Sequence, residues 1–456
     1  MRLSLRIRLS LMMFLEFAVW GAWTPVLWPY LVGPVEKGCL GLSDIQASQV
    51  YGVLWLACIA APFIGGQIVD RWFPTQWFLA AVHLAGGVLL LVMSQQQTFG
   101  WLWLVMLIYS LLYAPTLALT ASLAFHHLTD ADRQFGTIRV FGTIGWIVAG
   151  LILTAWRSLA GEQTVPNDML LLAAYLSFAM GVLCLFLPHT PPKKEAENPW
   201  AFLEALSMLK DPQFLIFMLI SFVVTTELQF YYLPTAEFLE KGVGIQHKNV
   251  PMVMTTAQLA EMVAMGLFMG LVLKAVGIRR ALAIGVIAWP LRYVIFALYK
   301  VVPAWLVVGS LALHGVGYTF FFAVSQVYVD KVAPRDIRAS AQALLTMVTL
   351  GLGNYLGTVF TGFVMRWQST FKEATKVVDG ETVTIMEVAS RNWTVIFLVP
   401  CALTVLCAVA FLLFFREPRP VEVPGAEPAP LADEMPEEKE ESSVEEMAED
   451  MPPEEP

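Results

Sequence analysis

The chain has 456 residues, 57% of them hydrophobic and 14% charged, against about a quarter charged in soluble domains. That balance excludes an ordinary soluble domain, and the absence of a basic stripe argues against nucleic acid as a partner. The net charge of -9 comes mostly from the last stretch, Glu417 to Pro456, whose Glu, Asp and Pro content reads as a disordered acidic tail at 417–456.

A spanning helix needs about 20 apolar residues. In chain order twelve stretches qualify, at roughly 9–32, 47–69, 76–95, 100–125, 136–157, 168–188, 213–236, 250–273, 280–299, 303–328, 340–366 and 392–415. The expected fold class is therefore an all-α membrane protein with twelve transmembrane helices. The basic start at Arg2, Arg6 and Arg8 precedes a run too long and too aromatic for a cleaved signal peptide, so this run is read as a retained first span. An even count puts both termini on one face. That face collects most of the loop Lys and Arg, among them Arg71, Arg133, Lys193, Lys194, Lys210, Arg279, Arg280, Lys331, Arg335, Arg338 and Arg416, which marks it as cytoplasmic.

A polar, Pro-containing stretch at 191–212 divides the chain into an N-terminal six-helix bundle (1–190) and a C-terminal one (213–416). The loops of the two bundles correspond. Gly66, Asp70 and Arg71 follow the second span as Val276, Gly277, Arg279 and Arg280 follow the eighth. Two parallel six-helix halves are the pattern of the major facilitator fold, whose site lies near the midplane between them. Gly66-x-x-x-Asp70-Arg71 is read as a structural latch between helix ends.

Glu16, Arg139, Glu227, Glu261 and Arg292 lie inside apolar runs. A charge at bilayer depth costs about 2.5–3.5 kcal/mol or more, so each should face a partner or a wet cavity. Glu16, Trp20 and Trp23 recur at i, i+4 and i+7, as do Arg139, Thr143 and Trp146, and such spacing shares a helix face. Span seven carries Glu227, Gln229, Tyr231 and Tyr232, span eight Thr255, Gln258 and Glu261, and span ten His314, Tyr318, Thr319, Phe322 and Ser325. Rings stack on bases and sugar faces while amides and carboxylates bond hydroxyls and base edges. A nucleoside suits these faces, and by chemistry alone a sugar suits them as well.

Buried carboxyls can hold and release a proton, which makes Glu16, Glu227 and Glu261 the proton-coupling candidates. No nucleotide-binding Gly-x-x-x-x-Gly-Lys-Ser/Thr loop is present, so a proton gradient is the expected energy source. Arg292 is read as structural. Trp28, Trp101, Trp103 and Trp305, near span ends, are read as interfacial belt residues. The five cysteines fit no metal or redox spacing, and no cofactor or metal is expected. A receptor or scaffold that recruits a partner through the acidic tail is the alternative from another class; no nucleophile–base arrangement points to an enzyme.

Met12-Met13-Phe14-Leu15-Glu16 with Trp20-Gly21-Ala22-Trp23 resembles the first span of the bacterial nucleoside:proton symporter family of the major facilitator superfamily. Tyr113-Ala114-Pro115-Thr116-Leu117, the run Ile138 to Trp146, Glu227-Leu228-Gln229, Gln258-Leu259-Ala260-Glu261 and Tyr328 to Pro334 extend the likeness over about residues 5–416. The resemblance implies nucleoside import by proton symport through alternating access in the bacterial inner membrane, by a monomer in the lipid bilayer. It implies substrate contacts from Arg139, Thr143, Trp146, Gln229, Tyr232, Gln258, Glu261, His314, Tyr318 and Thr319. The family commonly has Asp where this chain has Thr319 and, in its well-studied members, Asn where it has Tyr232.

Overall fold

The computed structural model describes residues 3–64, 72–128, 131–161, 165–192, 200–378 and 381–416. Apart from one hairpin these residues form helices and their connections. The longer helices are α1 (Leu3–Val32), α2 (Asp44–Ile64), α3 (Thr75–Ser94), α4 (Phe99–His127), α5 (Ala131–Ala160) and α6 (Asp168–Cys184), with shorter helical turns between some of them. They continue with α7 (Pro212–Tyr232), α8 (Val250–Val263), α9 (Met269–Ala297), α10 (Ala304–Val332), α11 (Arg335–Trp367) and α12 (Trp393–Phe414). Among the described residues, nine helical runs are long and apolar enough to cross a membrane. Their outer faces carry exposed Leu271, Phe363, Leu406, Leu413 and Phe414, a girdle that only hydrocarbon would cover without aggregation.

Local chemistry sets the helix ends and breaks. Asp211 caps α7, its carboxylate accepting from the Gln213 and Phe214 amides at 2.8 Å each, with Pro212 at the first helical position. One helical run extends over 51 residues, His247–Ala297, far beyond a single span. It is broken at Gly277, whose φ of 77° and ψ of 173° lie outside helical space and favour glycine. That break falls in the basic loop expected between Lys274 and Arg279. α1 is interrupted between Trp23 and Leu27, and α10 contains a π turn at Tyr318–Ala323, a feature often found at functional sites.

One apolar cluster lies wholly within the N-terminal helices, around Met12, Leu79, Leu123 and Ile138; another lies wholly within the C-terminal helices, around Phe217, Val286, Trp289 and Phe321. A third, with Trp23, Tyr51, Tyr231 and Phe397, joins the two sets. Small residues allow close helix approach. A side chain at Gly145 of α5 would strike the Phe14 carbonyl of α1, and one at Gly315 of α10 would strike the Glu261 amide of α8.

Between α11 and α12 the structure contains an antiparallel hairpin, β1 (Ser369–Val378) and β2 (Glu381–Arg391), with a register shift at Thr370/Phe371. It lies outside the twelve expected spans. The hairpin reaches the N-terminal helices. Lys376 Nζ donates to the Leu40 and Gln97 carbonyls at 2.8 and 2.7 Å, and Glu387 Oε1 accepts from the Val35 amide at 2.7 Å. Burial lowers the pKa of Lys376. At the hairpin's root, Arg391 pairs with Asp44 of α2 at 2.8 Å and with Glu237, just beyond α7, at 3.0 Å. Burial alone would lower the pKa of Arg391, but Glu237 and Asp44 outweigh it and hold the pKa above the ordinary value. Trp28 Nε1 donates to Glu237 at 3.1 Å. Trp28 is thus fully buried in this cluster rather than at a lipid interface, because its indole N–H has an acceptor inside the protein.

Candidate functional site

A cavity opens where α1 and α5 face α7, α8 and α10. Phe17, Trp20, Arg139, Gly142, Thr143, Trp146, Tyr232, Gln258, Glu261 and Tyr318 line it, around about 470 Å³ of empty space including its mouth. One wall belongs to the N-terminal helices and the other to the C-terminal helices.

The first wall depends on the α1–α5 contact. Gly21 sits against Trp146, and Gly142 leaves space for the Phe17 ring and the Arg139 guanidinium. Arg139 lies over the Phe17 ring at 4.0 Å, a cation–π contact that holds it without neutralising its charge. Trp20 packs edge-on against Trp146 and Trp55 at 5.3 and 5.9 Å. The second wall depends on α8 and α10, brought together at Gly315. Among the described residues Glu261 makes no ion pair, and the positive charge that acts on it is Arg139. A guanidinium and a carboxyl therefore face one aromatic cavity from opposite helix sets.

Of the ten residues expected to contact substrate, Arg139, Thr143, Trp146, Tyr232, Gln258, Glu261 and Tyr318 line this cavity. Gln229 instead faces α11, donating to Asn354 Oδ1 at 2.7 Å and accepting from Thr358 at 3.2 Å. His314 lies behind the wall, stacked on Tyr231 at 4.1 Å and packed against Tyr232 and Tyr318 at 5.7 and 6.1 Å. Thr319 is fully buried, and its hydroxyl is 3.4 Å from the Glu261 carbonyl.

The three candidate proton carriers separate. Glu261 is on the cavity wall. Glu16 turns into the N-terminal helices, accepting from Thr116 Oγ1 at 2.6 Å and meeting His83 Nε2 at 2.9 Å. Glu227 is fully buried behind the C-terminal wall, near Arg292. Phe17 and Gly142 are cavity residues that the spacing argument passed over. Phe17 follows Glu16 directly, and its place was legible only once Arg139 needed an aromatic face. Gly66, Asp70 and Arg71 lie outside the described residues, as do 193–199 and the tail from 417. Among the described residues no group of His, Cys, Asp and Glu could hold a metal ion.

Such a cavity between two sets of apolar helices is the arrangement of a solute transporter. The family model described as "Nucleoside H+ symporter" matches residues 2–420, and the chain belongs to that family. It is 36% identical to YegT of Escherichia coli (strain K12) over 419 residues, covering 90% of this chain and 93% of that one. It is 28% identical to the nucleoside permease NupG of the same organism over 433 residues, covering 91% and 96%. The crystal structure of NupG superposes with a TM-score of 0.77 at 27% identity, covering 91% of this chain and 100% of the other. A D-xylose–proton symporter shares the fold, with a TM-score of 0.64 at 15% identity over 91% and 98%.

Proposed function

We propose that the cavity between Arg139 and Glu261 is the nucleoside site of a proton-driven importer. The observation that carries this reading is a guanidinium and a carboxyl on opposite walls of an aromatic cavity at the seam between the two helix sets. Trp20, Trp146, Tyr232 and Tyr318 offer ring faces for a base, and Thr143, Gln258 and Glu261 offer bonds to base edges and ribose hydroxyls. NupG, which carries nucleosides by name, supports the same substrate class. Proton symport follows from the family. In the same reading, the chain has twelve spans in two six-helix halves, with the 51-residue run counted as two spans divided at Gly277.

Both termini then lie in the cytoplasm of a bacterial cell, and the hairpin lies on the opposite side. Arg391, Lys376 and Glu387 tie the C-terminal half to the N-terminal half there, so the structure has its hairpin end closed. Alternating access requires those bonds to part. The protein works as a monomer in the lipid bilayer. Counterflow of labelled uridine in proteoliposomes tests the substrate. Competition by adenosine but not by xylose or lactose is expected; competition by sugars alone would reject the reading.

A further inference from the structure

Behind the C-terminal wall is a buried cluster that substrate binding does not use. Glu227 of α7, Arg292 of α9 and His314 of α10 are all fully buried. Both Glu227 carboxyl oxygens, Arg292 Nε and Nη2, and His314 Nε2 have no hydrogen-bond partner among the described residues. The one polar side-chain bond within the cluster runs from Arg292 Nη1 to His314 Nδ1, at 3.0 Å. A guanidinium keeps its proton in a protein, so His314 is the acceptor, and it is neutral with its proton on Nε2. Four rings surround the Arg292 charge: Tyr293 at 4.5 Å, Tyr231 and Trp289 at 4.9 Å each, and Phe296 at 5.9 Å.

The other groups near Glu227 are few. Tyr293 bonds the Glu227 main-chain carbonyl at 3.0 Å, and its hydroxyl also lies beside the Glu227 carboxyl and the Arg292 guanidinium. The thiols of Cys401 and Cys407 on α12 lie within its field. From α11, Asn354 and Thr358 serve Gln229 and do not titrate.

A carboxylate without a partner at this depth is costly, whereas a neutral carboxyl is not. Arg292 has donors to spare and two groups to choose between. We propose that Glu227 carries the transported proton and that Arg292 reports its state to the cavity by moving between His314 and Glu227. This rests on the proton-symport reading above. With the proton on Glu227, Arg292 remains on His314, as in this structure. When the proton leaves for water, the carboxylate draws the guanidinium across. His314 then loses its donor, and its ring is free to shift against Tyr232 and Tyr318, which line the cavity. One proton enters the cluster from one side and leaves to the other; no other bond is made or broken. The other two carboxyls are less suited. Glu16 has both oxygens bonded, and Glu261 opens directly onto the cavity beside Arg139.

Proteoliposomes holding a pH-sensitive dye test the proposal, with uridine-dependent proton entry, gradient-driven accumulation and uridine counterflow read side by side. In E227Q, proton entry per uridine is expected to fall by about tenfold or more while counterflow falls far less. R292K keeps the charge but not the fork that spans two partners, and its proton-to-uridine ratio should fall as well. If E227Q does not reach the membrane folded, R292K carries the test and E227D, which keeps a carboxyl, should stay coupled. Wild-type coupling in E227Q, or in R292K where it stands alone, overturns the proposal, as does loss of coupling in E261Q with E227Q unaffected. No uridine counterflow in the wild-type protein would instead overturn the nucleoside reading.

Discussion

Removing Arg391 should unlatch the hairpin end. Its guanidinium lies between Asp44 of the N-terminal helices and Glu237 of the C-terminal helices, all three side chains buried. The Asp44 contact is a close approach of charges rather than an aligned hydrogen bond, since its oxygens have no such partner. Taking one partner from a buried ion pair costs about 3–5 kcal/mol because the other charge is left uncompensated. Glu237 keeps Lys241 at 2.9 Å and Trp28 at 3.1 Å, so Asp44 bears most of the loss. Opening this end to water relieves it. At about 1.4 kcal/mol per tenfold, relief of ~3 kcal/mol shifts the closed–open balance by about 10²-fold. A cysteine placed at Val26, buried beside Leu153, Pro251 and Met254 where the two helix sets meet, reports that opening through its rate of labelling by a membrane-impermeant maleimide. R391A should raise this rate strongly and R391K less. D44L/R391M, which replaces the ion pair by apolar groups, should return it toward wild type. An R391A rate equal to wild type in folded protein would refute the reasoning.

Other consequences are measurable. R139A and E261Q each remove a charged bonding group worth about 1.5–3 kcal/mol, so uridine affinity measured by counterflow should drop by about 10- to 10²-fold; near-normal affinity in both would mean that the site is elsewhere. H83A leaves a Glu16 oxygen buried without its partner, at a cost of about 1–3 kcal/mol, and should lower the melting temperature in detergent, whereas an unchanged melting curve would contradict the buried network. Gly145→Leu forces a side chain into the Phe14 carbonyl and should abolish recovery of monodisperse protein; a well-folded variant would show that α1 and α5 are not in contact there.

Much of the fold was legible because hydrocarbon imposes one rule, long apolar helices, and the sequence obeys it visibly. The hairpin carries a sequence signal, β-branched runs on either side of Asp379-Gly380, which the count of apolar spans passed over. Its docking was not legible, because it comes from Leu40, Gln97 and Val35, far away in sequence. The same holds for the buried Trp28, whose acceptor Glu237 is over two hundred residues distant. In the site, the run Arg139, Thr143 and Trp146 shares one helix face, and spacing shows that directly. Spacing grouped Glu16 with Trp20, but the helix turns Glu16 toward His83 and Thr116 while Trp20 reaches the cavity, because three to four residues per turn fixes a face only approximately. Gln229 and Tyr232 are three apart on α7, yet α11 supplies better partners for the amide, which no single-span pattern reveals.

Uptake of radiolabelled uridine and adenosine into proteoliposomes under an imposed inward proton gradient decides between a proton-driven nucleoside importer and anything else. Accumulation that collapses when the gradient is dissipated is expected. Uptake of neither nucleoside, or uptake indifferent to the gradient, in protein shown to be folded, would contradict the importer reading.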